Sequence, residues 1–184
     1  MESVAFLVSD FPRLYSPTGH ASGSISVPSL WSLGPALHLV SAVASAGQVL
    51  PTDGALFVPF RVPRIVTAYQ IIVGCGSGAG NNFDVGIYDR FGNRLVSSGS
   101  VARTASTEMV QNITDTVLLP GLYYMAIASD SASTMVGWIP AQLGLSKMLG
   151  VKQMDTAFPL PDPATFITPT NSIIPSINIV LRPE

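Results

Sequence analysis

Short apolar runs that alternate with polar or small residues, each closed by a turn signal, fill the middle of this 184-residue chain. Such a pattern leaves little room for anything but β-structure. The clearest stretch is Asn82 to Asp130. Phe83, Val85, Ile87 and then Leu95 alternate with small or polar neighbours, the mark of a half-buried strand. Between the two halves, Asp89-Arg90-Phe91-Gly92-Asn93 supplies the Gly and Asn that a hairpin loop needs at positive φ. A second hairpin is expected where the run 113–119 meets Pro120-Gly121 and 122–128 runs back, because Pro then Gly suits the centre of a type II turn.

The same reading extends along the rest of the chain. Residues 55–62 read as a strand in which Pro59 suggests an edge or a bulge. Residues 65–73 are rich in β-branched side chains, and 74–82 form a Gly-rich loop. Short strands are expected near 101–105 and 134–139, a short helix closed by Gly150 over 141–150, and an extended Pro-rich bridge over 158–163. Ile177, Ile179 and Leu181 alternate in a last strand that joins the sheet late. About eight strands at intervals of roughly 8–12 residues predict an all-β fold, an antiparallel β-sandwich with Greek-key or jelly-roll closure.

Residues 1–50 differ from the sandwich domain of 51–184. Phe11-Pro12, Ser16-Pro17, Val27-Pro28 and Gly34-Pro35 break the segment repeatedly. Between the breaks stand single apolar anchors: Phe6, Phe11, Tyr15, Leu30, Trp31, Leu33 and Leu37. Extension imposed by Pro, with spaced anchors, suits an arm laid along another surface or a lead packed on its own domain. These seven, with Phe158 and Phe166 from the extended C-terminal segment, are the candidate partner or subunit interface.

Charge narrows the class. Only 11% of residues are charged, where about 25% is usual. Lys147 and Lys152 are the sole lysines, and Ser and Thr fill the gap. A lone soluble domain normally carries more charge. Either much of the surface is buried against other subunits, the favoured explanation, or the chain is an extracellular hydroxyl-rich module. The net charge of −2 and the dispersed arginines argue against a nucleic-acid partner. No apolar run approaches the roughly 18 residues of a membrane span, and the first residues lack a secretory pattern. The single cysteine, Cys75, rules out an intrachain disulfide.

The chemistry-bearing motifs each meet a structural explanation. Gly74-Cys75-Gly76-Ser77-Gly78-Ala79 satisfies a dinucleotide fingerprint, but a strand and not a helix is expected after it, so no pyrophosphate site is expected. Ser77 lacks the nucleophile-elbow glycine two residues earlier, and His20 and His38 have no Ser-bearing partner motif. Asp84, Asp89, Asp115 and Asp130 are candidate calcium ligands at one end of a sandwich; the last three fall where aspartate serves turns and strand ends. Trp31, Trp138, Tyr123 and Tyr124 are the rings that a sugar would stack on, with one of the adjacent tyrosines expected in the core and one on the surface. No enzyme activity, cofactor or metal is expected.

Several segments resemble a group of tailed-bacteriophage virion proteins: Phe57-Val58-Pro59-Phe60, Val85-Gly86-Ile87-Tyr88-Asp89 with Gly92-Asn93, Ser97-Ser98-Gly99-Ser100, Leu119-Pro120-Gly121-Leu122-Tyr123-Tyr124, and Ala157-Phe158-Pro159-Leu160-Pro161. The resemblance covers about half of the chain and rests on turn chemistry. It implies a jelly-roll-like domain in a symmetric oligomer, a trimer by preference, bound to the major capsid protein or another virion component and assembled in a host cytoplasm. No trailing repeat or coiled-coil shaft is present. That favours a compact capsid decoration or cement protein over a tail or fibre component. A carbohydrate-binding receptor-recognition module is the rival from another class.

Overall fold

The computed structural model describes residues 48–49, 53–74, 81–104, 108–131, 134–135, 137–140, 143–170 and 173–182. Of the expected arm, only Gln48 and Val49 lie among them. In chain order the strands are β1 (Gln48–Val49), β2 (Ala55–Val62), β3 (Val66–Gly74), β4 (Asn82–Asp89), β5 (Arg94–Ser97) and β6 (Val101–Ala102). They continue as β7 (Glu108–Leu118), β8 (Gly121–Ser129), β9 (Thr134–Met135) and β10 (Gly137–Pro140). After the helix α1 (Leu143–Met148) come β11 (Lys152–Met154), β12 (Ile173–Pro175) and β13 (Ile177–Leu181).

Every strand pairing is antiparallel. A larger sheet runs β11-β2-β8-β4-β5, with β6 also on β4, and a smaller one runs β13-β3-β7. Leu56, Val58, Phe83, Val85, Ile87, Met125 and Ile127 meet Ile71, Val73, Leu118, Ile177 and Ile179 in one buried cluster between them. The chain is therefore an all-β antiparallel sandwich with one short helix. The last strand joins the smaller sheet late in the sequence, as its alternation predicts.

The β4–β5 hairpin forms as expected, but the second one does not. β8 pairs with β2 and β4 in the larger sheet, whereas β7 pairs with β3 in the smaller. Pro120-Gly121 thus carries the chain from one wall to the other, and Gly121 is not among the left-handed glycines. The core explains the difference. Leu118 and Met125 reach the same interior from opposite walls, whereas a hairpin would set both on one wall. Since β2 and β3 also cross between sheets, β2–β3 and β7–β8 run as one wrapped ribbon, the jelly-roll pattern.

β4 is buried on both faces from Phe83 to Tyr88, not on one. Residues 155–170 cover the outer face of the larger sheet, where Phe57, Tyr88, Tyr124 and Ala126 pack with Ala157, Leu160 and Ala164. Tyr123 and Tyr124 do point opposite ways: Tyr124 is buried, and Tyr123 is half-buried. Tyr123 lies against the inner cluster beside Phe60, and Tyr124 packs on Phe166 with ring centroids 4.8 Å apart. Pro59 stands beyond the reach of β11, which pairs only with residues 55–57, so the missing N–H costs no ladder bond on that side. α1 ends as predicted: Gly150 takes φ +75° and its N–H donates to the Lys147 carbonyl, while Val151 donates to Ser146, the Schellman pattern.

Candidate functional site

The Pro-rich segment 158–163 is a strap laid over the larger sheet and latched at a carboxylate. Asp84 sits in the middle of β4 with no exposed surface. A bare buried carboxylate costs several kcal/mol, so it must be matched by donors. Ser97 Oγ donates to its Oδ1 at 2.7 Å, Ser98 Oγ to the same atom at 3.2 Å, and the Leu160 N–H to its Oδ2 at 3.0 Å. The serines belong to the returning strand and its end; the third donor is the strap itself.

Other groups fix the strap on either side of that point. Tyr88 donates its hydroxyl to the Pro161 carbonyl at 2.5 Å, and the Arg94 guanidinium donates to the Leu160 carbonyl. The Asp162 carboxylate accepts the Arg94 N–H at 3.1 Å, and Ala164 donates to the Gly92 carbonyl at 2.8 Å. Burial holds the Tyr88 phenol well above its ordinary pKa, so it stays a donor. Small residues let the strap approach. A Cβ on Gly86 would come within 2.5 Å of the Val96 carbonyl and 3.1 Å of Leu160. Gly92 is held at φ +93°, and a Cβ there would meet the Ala164 carbonyl at 2.5 Å.

The four aspartates singled out in the sequence are each engaged by protein donors. Asp89 closes the β4–β5 turn by accepting from the N–H groups of Phe91 and Asn93. Partial burial pushes its carboxyl up, but the Asn93 side chain and those N–H groups outweigh this and set its pKa below the ordinary value. Asp115 takes a two-point contact from Arg182 at 2.9 and 3.1 Å, and Asp130 accepts from the Asn82 backbone and side chain. Among the described residues no three His, Cys, Asp or Glu side chains gather as a metal site would require.

Between the edges of the two sheets, β5 and β7 leave an open groove of about 890 Å³. Leu95, Ser97 and Ser100 line one side, and Thr114, Thr116 and Val117 the other. The strap closes one flank through Pro159 and Asp162.

Of the candidate interface residues, Phe6, Phe11, Tyr15, Leu30, Trp31, Leu33 and Leu37 lie outside the described residues, as do His20, His38 and Cys75. Phe158 and Phe166 are half-buried on their own sheet, with the Phe166 ring 4.9 Å from Phe57. The C-terminal segment expected to reach a neighbour is thus folded onto its own domain, where its apolar residues already have a seat. Sequence reasoning passed over Arg94, Ser97, Leu160 and Asp162. One signal was legible: a lone acid, Asp84, between the apolar Phe83 and Val85. No family model, curated protein or solved structure matches the chain.

Proposed function

We propose that this chain is a non-enzymatic structural protein of a bacteriophage virion, a capsid decoration or cement subunit that works as a symmetric oligomer. One observation carries the reading: a sheet sealed on both faces coexists with large apolar side chains left in water outside it. Ile65, Val117 and Leu119 are 62%, 61% and 57% exposed. Val117 stands opposite Thr67 in the register of β3 and β7, and Ile65 and Leu119 follow at the next alternate positions. A chain with 11% charged residues has little else to keep such a patch apart from its neighbours. Burial of apolar area at about 25 cal/mol per Å² over several contacts gives attachment through multivalency.

Two measurements test the reading. Native mass spectrometry of the full chain is expected to give a closed oligomer, a trimer by preference. Gold-labelled antibody on intact particles is expected to mark the shell, and deletion of residues 1–46 is expected to remove that label while the sandwich stays folded. A single chain that remains monomeric at high concentration and is absent from particles overturns the proposal.

A further inference from the structure

We propose that the tip of the β4–β5 hairpin is an anchor, whose Phe91 ring inserts into an apolar pocket rimmed by carboxylates on a different protein of the particle. The inference rests on the reading of the chain as an attached virion subunit and names the surface that attaches.

Phe91 is a side chain out of keeping with its place. Turns are ordinarily built from Gly, Pro, Asn, Asp and Ser, yet here an aromatic ring stands 70% exposed at the apex. The backbone beneath it is fixed from both sides. Asp89 accepts from the N–H groups of Phe91 and Asn93 at 2.8 and 2.9 Å, and from the Asn93 side chain at 2.7 Å. Gly92 donates to the Asp89 carbonyl at 3.2 Å, and its own carbonyl takes the Ala164 N–H of the strap. The Arg90 guanidinium lies over one face of the ring, 4.5 Å from its centroid. A ring held in this way loses little freedom on docking, which lets a single aromatic contribute much to affinity.

Shape selects the kind of partner. A small ligand needs a concave seat, whereas Phe91 stands on a hairpin apex and takes no part in lining the groove. The tip is therefore the inserting half of a contact, and the receiving half is a pocket. An aromatic paired with Arg is the usual composition of such an anchor between proteins.

Charge says what surrounds that pocket. Arg90 and Arg61 are exposed and have no carboxylate partner among the described residues. Arg61 stands opposite Leu122 on β8, and Asp89 stands opposite the next residue, Tyr123, on the other side of that strand. The two arginines thus flank the start of β8 two strand spacings apart, ~10 Å. The nearby acids, Asp89 and Asp162, face the main-chain N–H groups of Phe91, Asn93 and Arg94. Cations beside an apolar ring match carboxylates at the rim of the receiving pocket. A second copy is a poor match, because the carboxylates of its groove are already met: Asp84 by two serines and Leu160, Asp115 by Arg182, and Asp162 by the Arg94 N–H. The exposed Ile65, Val117 and Leu119 follow the register of the smaller sheet, whereas the tip belongs to the larger.

The test uses the full-length chain and particles assembled without it, with binding read by co-sedimentation of fluorescent protein. The wild type is expected to bind, Phe91→Ala to bind about thirtyfold more weakly and Arg90→Glu about tenfold, each with an unchanged melting temperature because neither side chain is buried. Met148→Ala, which removes a side chain 85% exposed elsewhere, is expected to bind as the wild type does and separates an anchor from general stickiness. Photoreactive p-benzoylphenylalanine in place of Phe91 is expected to give adducts with a particle protein at a peptide bearing Asp or Glu. Phe91→Ala that binds as tightly as the wild type, or no more weakly than Met148→Ala, overturns the anchor alone. Adducts confined to copies of this chain, to carbohydrate or to lipid overturn it too, as does the lack of any adduct. A wild type that fails to bind the particles sinks the attachment reading and the anchor with it.

Discussion

Asp84 is the residue on which the outer layer turns. No cation touches it among its hydrogen-bond partners; two hydroxyls and one main-chain N–H share its two oxygens. An unmatched buried donor costs about 1–3 kcal/mol, and hydroxyls can rotate to other acceptors while an N–H in a fixed backbone cannot. Asp84→Ala is therefore expected to destabilise the fold by about 3 kcal/mol, most of it from the stranded Leu160 N–H. Asp84→Asn keeps one oxygen for that N–H and is expected to cost about half as much. Urea unfolding at neutral pH measures both. Equal losses would mean that the charge, and not the acceptor geometry, does the holding.

At the scale of elements, the strap converts a one-sided sheet into a two-sided one. Leu160 is 1% exposed and packs over Gly86, so Leu160→Ala opens a void that the fixed backbone on both sides cannot close. A loss of about 2–5 kcal/mol is expected, with faster hydrogen exchange at 157–164 while β3 and β13 stay protected. Uniform loss of protection would show that the strap and the sandwich unfold as one unit. The same layer marks where the sequence was legible and where it was not. β4–β5 could be read because its turn chemistry is local: Asp89, Gly92 and Asn93 carry the information within five residues. The β7–β8 connection could not, because whether Pro120-Gly121 turns within a sheet or between sheets is decided by which strands find β7 and β8. Nor could the second buried face be read. Ala55, Gly86, Ala126 and Ala128 look like solvent-side fillers until Leu160 and Phe166, tens of residues away, come down on them. The strap was visible as extended Pro-rich chain, but not its destination.

For the whole molecule, the question is what kind of force an assembly of such chains relies on. The chain offers nine Lys and Arg against eleven Asp and Glu. Among the described residues, the Arg–carboxylate pair on the groove side, Arg182 with Asp115, is internal and half-exposed. In the oligomer proposed above, contacts between copies would then draw on apolar side chains such as Ile65, Val117 and Leu119. Salt separates this from an ionic assembly. At 1 M the screening length falls to about 3 Å and exposed ion pairs lose most of their attraction, whereas burial of apolar surface does not weaken. The oligomer is expected to keep its mass by sedimentation from 0.05 to about 1 M NaCl and to loosen on cooling, since apolar stabilisation declines at low temperature. Dissociation that follows rising salt, with no response to cold, would assign the contacts to charge and require a different surface from the one described by these strands.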